Sequence, residues 1–134
     1  MILTFLNRYR EVGLLILRVG LGALFILHGW PKITGGPAGW TDLGNAMANL
    51  GVTFAPVVWG FMAALTEFGG GICLILGLAT RPAALLLAFN MLVAATYHLH
   101  AGDGIMGASH AIEDGVAFLA LVVLGPGKYS IDGK

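Results

Sequence analysis

The stretch PVVWGFMAALTEFGGGICLILGLATRPAALLLAFNMLVAATYHLHA, Pro56 to Ala101, contains two long apolar runs separated by the four residues ATRP. A transmembrane helix needs about 20 mainly apolar residues to cross the hydrocarbon core of a bilayer. Each run meets that length, and Pro82 interrupts the helical pattern between them. The stretch therefore predicts two membrane-spanning helices, at residues 56–79 and 82–101, joined by a tight turn.

The composition of the whole chain is also that of a membrane protein. Of its 134 residues, 57% are hydrophobic and 10% are charged, and the mean hydropathy is +0.86. Hydropathy predicts two further spans, at about residues 12–28, where Pro31 ends the helix, and 110–124. We predict an all-α fold, an integral membrane four-helix bundle in which residues 1–134 form a single domain in the lipid bilayer.

Charge and cysteine content exclude some classes of function. Seven basic and seven acidic residues balance, which gives no electrostatic reason to expect a nucleic-acid partner. Cys73 is the one cysteine, so the sequence excludes an internal disulfide and a Cys-x-x-Cys redox pair. Any electron transfer here therefore needs a cofactor or a quinone.

The connection between the first two spans, residues 33–55, carries an amphipathic pattern. Trp40, Leu43, Met47 and Leu50 recur at helical spacing with polar residues between them. The pattern predicts a short interfacial helix that lies along the membrane surface. A partly re-entrant segment is the alternative.

The distribution of basic residues predicts the orientation of the bundle. Only Lys32 falls on one side of the membrane, and the basic residues on the other side are Arg8, Arg10, Arg81, Lys128 and Lys134. The positive-inside rule then places both termini in the cytoplasm. All four histidines are expected near the outer surface, which is periplasmic for a bacterial inner membrane.

Three polar residues, Arg18, Glu67 and Asn90, fall inside predicted spans. An isolated charge at that depth costs about 2.5–3.5 kcal/mol, so such groups need partners. Counting the helical rise from each end predicts a buried Arg18–Glu67 ion pair, with Asn90 as a third member. The pair either fixes helix register or serves as a proton relay or ligand anchor.

Polar faces of helices three and four are predicted to meet near the outer surface. Spacings of three and four residues place Asn90, Tyr97 and His98 on one face, and His110, Glu113 and Asp114 on another. These faces predict one shared cavity. The candidate catalytic residues are His98, His110, Glu113 and Asp114, and the candidate quinone-binding residues are His28, Trp30, Tyr97 and Asn90.

Several chemistries fit such a cavity. Histidine, tyrosine and carboxylate groups supply the hydrogen bonds and protons that a quinone head group needs, and quinone is the favoured cofactor. Haem b would use His28 with His98 or His110. A divalent metal would need three or four converging ligands, and no metal site is predicted. Polar helix ends that meet water and lipid headgroups are the structural alternative.

Three segments resemble the DoxX family of small four-helix bacterial membrane proteins: LRVGLGALFILHGWPKI, TEFGGGICLILGLATRPAA and EDGVAFLALVVLGPGKYSIDG. The resemblance implies a cytoplasmic-membrane protein of a kind commonly named as an oxidoreductase. Some members are similar to the membrane subunit of thiosulfate:quinone oxidoreductase, and others are associated with detoxification of quinones or oxidants. The family pattern marks Arg18, Gly29, Lys32, Glu67, Gly77, Arg81, Glu113, Gly125, Gly127, Ser130 and Asp132.

Three functional hypotheses follow from the residues and the resemblance. The first is a membrane redox protein that binds a quinone or small redox substrate near the periplasmic face, alone or with a soluble or membrane oxidoreductase partner. The second is a non-enzymatic membrane anchor or assembly subunit for a partner protein. The third is a small-solute transporter. So small a bundle is also compatible with a homodimer.

Overall fold

The computed structural model describes residues 2–133, and Met1 and Lys134 lie outside that range. The described residues form five α-helices and two short 3-10 helices, with no strand. Four of these helical segments are long and apolar enough to cross a membrane. The predicted all-α, four-span architecture is confirmed. In chain order the elements are η1 (Thr4–Tyr9), α1 (Arg10–Ile33), α2 (Gly36–Gly44), η2 (Asn45–Leu50), α3 (Pro56–Leu76), α4 (Thr80–His100) and α5 (Gly104–Leu124).

Two helix ends differ from the prediction by five or six residues. Pro31 lies inside α1, which continues to Ile33. A proline in the last turn removes one backbone hydrogen bond there, and the helix continues for two more residues. Helix α5 begins at Gly104 instead of residue 110. Gly107 therefore lies in the first turn of this helix and not in a loop, and a Cβ atom there would overlap the side chain of Asp103.

The connection between the first two spans is helical, as predicted, but it forms α2 followed by η2 instead of one helix. It packs directly on α3. A Cβ atom at Gly60 would overlap the carbonyl of Trp40, and one at Gly44 would overlap the backbone of Pro56. Glycine at both positions therefore permits backbone-to-backbone contact between α2 and α3.

Small residues also bring α1 against α3. A Cβ atom at Gly22 would lie 2.6 Å from the carbonyl oxygen of Gly71, and one at Gly29 would lie 2.6 Å from the amide nitrogen of Phe68. Larger side chains would hold these antiparallel helices apart. On the opposite side of the core, Phe25 of α1 meets Phe118 of α5 edge to face, with ring centroids 4.8 Å apart.

The segment Gly125–Gly133, which we call the C-terminal latch, folds back onto the turn between α3 and α4. The Asp132 carboxylate accepts hydrogen bonds from the backbone N–H groups of Ala79, at 3.0 Å, and Thr80, at 2.9 Å. It thereby caps the first turn of α4 from outside that helix. Because these N–H groups stabilise the ionised form, above all that of Thr80, the pKa of Asp132 is lowered.

Candidate functional site

A cavity of about 450 Å³ lies between α3 and α4, and α2 and η2 contribute part of its wall. We call it the α3–α4 cavity. Five residues of α3, from Trp59 to Glu67, and seven of α4, from Leu86 to His98, line it. Most are three or four positions apart, so each set forms one helix face. At about 1.5 Å of rise per residue, the lined face of α4 is roughly 18 Å long.

The cavity wall is mainly apolar with a few polar groups. Such a composition is typical of small-molecule sites, in which apolar contacts hold a ligand and sparse polar groups orient it. The polar and charged residues are Lys32, Asp42, Thr66, Glu67, Asn90, Tyr97 and His98.

An ion pair between Lys32 and Glu67 lies in this wall. The Lys32 ammonium donates to both carboxylate oxygens of Glu67, with Nζ to Oε2 and Oε1 distances of 2.7 and 2.9 Å. Glu67 is buried, whereas about a third of the Lys32 side chain is exposed. Gly29 lets α1 approach the Phe68 backbone, and Lys32, one turn later on the same face, therefore reaches the carboxylate. The pair compensates for burial of the Glu67 charge.

The predicted Arg18–Glu67 ion pair is wrong. Arg18 is fully buried, but its guanidinium donates to the carbonyl oxygen of Leu74, at 3.2 Å, and to that of Tyr129 in the C-terminal latch. Antiparallel packing of α1 and α3 around Gly22 sets this result, because it places Arg18 beside Leu74. Leu74 and Glu67 are seven positions apart, which is about 10 Å along α3.

Asn90 was expected to join Arg18 and Glu67. Its side-chain nitrogen instead donates to the carbonyl oxygen of Ala63, at 3.0 Å. This hydrogen bond fixes the register of α4 against α3. Asn90 and Glu67 do share a site, because both line the α3–α4 cavity.

The sequence predicts one cavity shared by the third and fourth spans, which are α4 and α5 in the structure. That prediction is also wrong. Tyr97 and His98 line the α3–α4 cavity, and the Nδ1 atom of His98 lies 2.8 Å from a carboxylate oxygen of Asp103. The residues of α5 lie elsewhere. The face of α4 that carries Asn90 points toward α3, while Met91, the next residue, packs near Gly115 of α5.

Three of the remaining predicted site residues, His28, His110 and Asp114, form a separate cluster between α1 and α5. The rings of His28 and His110 make an edge-on contact, with centroids 6.0 Å apart. The Nδ1 atom of His110 lies 3.3 Å from a carboxylate oxygen of Asp114. Glu113 is exposed. Within residues 2–133, no group of three or more His, Cys, Asp or Glu side chains is arranged to hold a metal ion.

Trp30 was also predicted to bind quinone. It packs against Phe68, with ring centroids 5.8 Å apart, and is largely exposed. Neither Trp30 nor His28 lines the α3–α4 cavity. A role for either in ligand binding stays a prediction.

Sequence reasoning missed Lys32 as the partner of Glu67, as well as the wall formed by α2 and η2. A signal for the pair was present. Lys32 is the one basic residue on the predicted outer side of the membrane, and a buried carboxylate in that half needs a cation. No sequence pattern indicated that α2 and η2 form part of the cavity wall. Their position depends on the contacts of Gly44 and Gly60 with backbone that is distant in sequence.

Comparison with known proteins gives a consistent family assignment. The family model described as DoxX matches residues 13–101. The chain is 37% identical over 131 residues to "Inner membrane protein YqjF" of Escherichia coli, covering 95% of each chain. It is 31% identical to "Inner membrane protein YphA" of the same organism, covering 93% of this chain and 91% of the relative. No solved structure matches the chain.

A more distant relative carries a functional name. The chain is 30% identical over 87 residues to "Putative oxidoreductase CatD" of Bacillus subtilis, covering 65% of this chain and 60% of the relative. The matched part is thus shorter than for the two inner membrane proteins.

Proposed function

This chain belongs to the DoxX family of membrane proteins, and we propose that it is a redox protein whose α3–α4 cavity binds the head group of a quinone. The observation that carries the proposal is the Lys32–Glu67 ion pair in the wall of an otherwise mainly apolar cavity. A charged pair within a membrane bundle is costly to bury, so its presence indicates a role in helix packing or in ligand binding. Its position beside an open volume favours a ligand.

The polar groups of the cavity match the needs of a quinone head group. The two carbonyl oxygens of a quinone accept hydrogen bonds, and the Lys32 ammonium and the Tyr97 hydroxyl are donors. Leu86, Phe89 and Val93 supply apolar contact for the ring. The volume of about 450 Å³ lies within the usual range for small-molecule sites.

Reduction of a quinone to a quinol adds two electrons and two protons. Lys32 and Glu67 form one proton-exchanging pair beside the cavity, and His98 with Asp103 forms another near the end of α4. A second cavity of about 280 Å³ shares Asp42 and Tyr97 with the first, which supports a proton path to water. The electrons come from a small redox substrate or from a soluble or membrane oxidoreductase partner.

We further propose that both termini are cytoplasmic, so that His98 and the polar end of the cavity are periplasmic. Arg81 and Lys128 lie at the end of the bundle that carries the C-terminal latch. Lys32, the basic residue at the opposite end, is paired with Glu67. This distribution follows the positive-inside rule.

Quinone binding by the purified protein in lipid nanodiscs tests the proposal. Glu67→Gln and Lys32→Met are each expected to weaken binding about tenfold, because the first removes the charge that pairs with Lys32 and the second removes a hydrogen-bond donor. Glu11→Gln is the matched control, since it makes the same chemical change at a carboxylate that accepts the Lys128 N–H of the latch. Folding of each variant is checked by helix content and gel filtration.

The outcome separates the proposed site from the rival one on α5. Equal binding by the unchanged protein, Glu67→Gln and Lys32→Met would contradict the proposal. Loss of binding confined to Glu113→Gln would instead favour the α5 residues predicted from the sequence. A haem absorption band in the purified protein would favour the haem alternative.

A further inference from the structure

We infer that the ligand of the α3–α4 cavity enters sideways from the bilayer, between α3 and α4, and that it is a quinone with a long isoprenoid tail and not a water-soluble quinone. The inference rests on the proposed quinone function and adds a route of access and a specificity for the tail.

The first observation is the position of the residues that both line the cavity and face outward. Met62 of α3 and Leu86 and Phe89 of α4 line it, and they are 49%, 56% and 45% exposed. All three lie within candidate membrane spans. Apolar side chains exposed at that depth contact lipid, so the side opening of the cavity faces the hydrocarbon interior of the bilayer.

The second observation is the level of Leu86 relative to the Lys32–Glu67 ion pair. The hydrogen bond from Asn90 to Ala63 sets the register of the two helices. Leu86 lies about one helical turn from Asn90 in the direction away from Tyr97 and His98. Glu67 also lies one turn from Ala63 in that direction, because α3 and α4 are antiparallel, so Leu86 is at the level of the ion pair. A ligand with its head near Lys32 and Glu67 would therefore direct its tail sideways past Leu86 into the bilayer, where an apolar chain is stable.

The third observation concerns the other sides of the cavity. On the side of α2, backbone contacts at Gly44 and Gly60 leave no gap against α3. The neighbouring small cavity is lined by Asp42, Asn45 and Asn49. Those polar residues suit water and protons and would not accommodate an isoprenoid chain. The opening between α3 and α4 remains as the apolar route.

Photolabelling in nanodiscs tests the inference with two azidoquinone probes, one with a decyl tail and one without a tail. The labelled fraction is measured by intact-protein mass for the unchanged protein, Leu86→Trp and Leu85→Trp. Leu85 is the matched control, because it is 55% exposed on the same helix but does not line the cavity. Met62→Trp with Leu65→Trp as its control repeats the test from α3, in case Leu86→Trp does not fold.

We expect Leu86→Trp and Met62→Trp to lower labelling by the tailed probe about tenfold, with little change for the tail-less probe and for the controls. Unchanged labelling by the tailed probe in both variants would overturn the sideways route. An equal loss with both probes would overturn the tail specificity. Absence of labelling by either probe in the unchanged protein would refute the proposed quinone function itself.

Discussion

The α3–α4 cavity and the region around the C-terminal latch both hold a charge buried in an apolar bundle, but the two charges have different partners. Glu67 pairs with the opposite charge of Lys32 beside an open cavity. Arg18 instead donates to the backbone carbonyl oxygens of Leu74 and Tyr129. Backbone acceptors fix the path of the chain, whereas a side-chain pair beside a cavity can exchange partners with a ligand. Burial of a charge therefore does not by itself identify a functional site.

The largest effect is expected from Gly60→Ala, which would break the cavity wall. The added methyl group would overlap the carbonyl of Trp40, so α2 must move away from α3. We expect a loss of about 3 kcal/mol or more in the free energy of unfolding, measured by denaturant unfolding in detergent. Gly20→Ala is the control, because a Cβ atom there has no neighbour within 4 Å. Equal stability of the two variants would show that α2 does not pack on α3 in this way.

Arg18→Leu tests the buried charge that contacts the C-terminal latch. The variant loses two hydrogen bonds from a charged donor, but leucine costs less to bury than arginine. We expect the free energy of unfolding to fall by about 2–3 kcal/mol. Because Arg18 and Glu67 have separate partners, the effects of Arg18→Leu and Glu67→Leu should add to within about 0.5 kcal/mol. A double variant more stable than either single variant would restore the ion pair predicted from the sequence.

A double-mutant cycle on Lys32→Met and Glu67→Leu tests the cavity side. Here the two residues are in contact, so the double variant should be more stable than the sum of the single effects predicts. We expect a coupling energy of about 1 kcal/mol, since the partly exposed Lys32 is screened by solvent. Additive effects in the same unfolding measurement would contradict the pair.

The smallest effect is expected from Asp132→Asn, which weakens the cap on α4. A lowered pKa means that the ionised carboxylate stabilises the folded state at pH values above its ordinary pKa of about 3.9. This contribution is lost as the pH falls through the lowered pKa. The melting temperature of the unchanged protein should thus exceed that of Asp132→Asn at neutral pH, and the difference should disappear in acid. A difference independent of pH would exclude a role for the charge.

Sequence patterns predicted the helices more accurately than they predicted which helices contact each other. Four spans and a helical connection followed from hydropathy and periodicity, with errors at Pro31 and at the start of α5. Glu67, Asn90, Tyr97 and His98, which the sequence indicates as candidate residues, all line the cavity, and a functional role for them stays a prediction. The predicted cavity shared by the Asn90, Tyr97 and His98 face with His110 and Asp114 was wrong, because periodicity identifies a helix face but not the helix that the face meets.

The amino-acid sequence by itself determined that this chain forms membrane-spanning helices and that its few internal charges need partners. Both conclusions depend on the transfer of adjacent residues from water to lipid, which is a local property of the chain. Only the tertiary structure decided which partner each charge has. That choice depends on where α1 crosses α3, and Gly22 and Gly29 set the crossing through contacts with residues far away in sequence. Arg18 consequently meets the latch, and Lys32 meets Glu67 at the cavity.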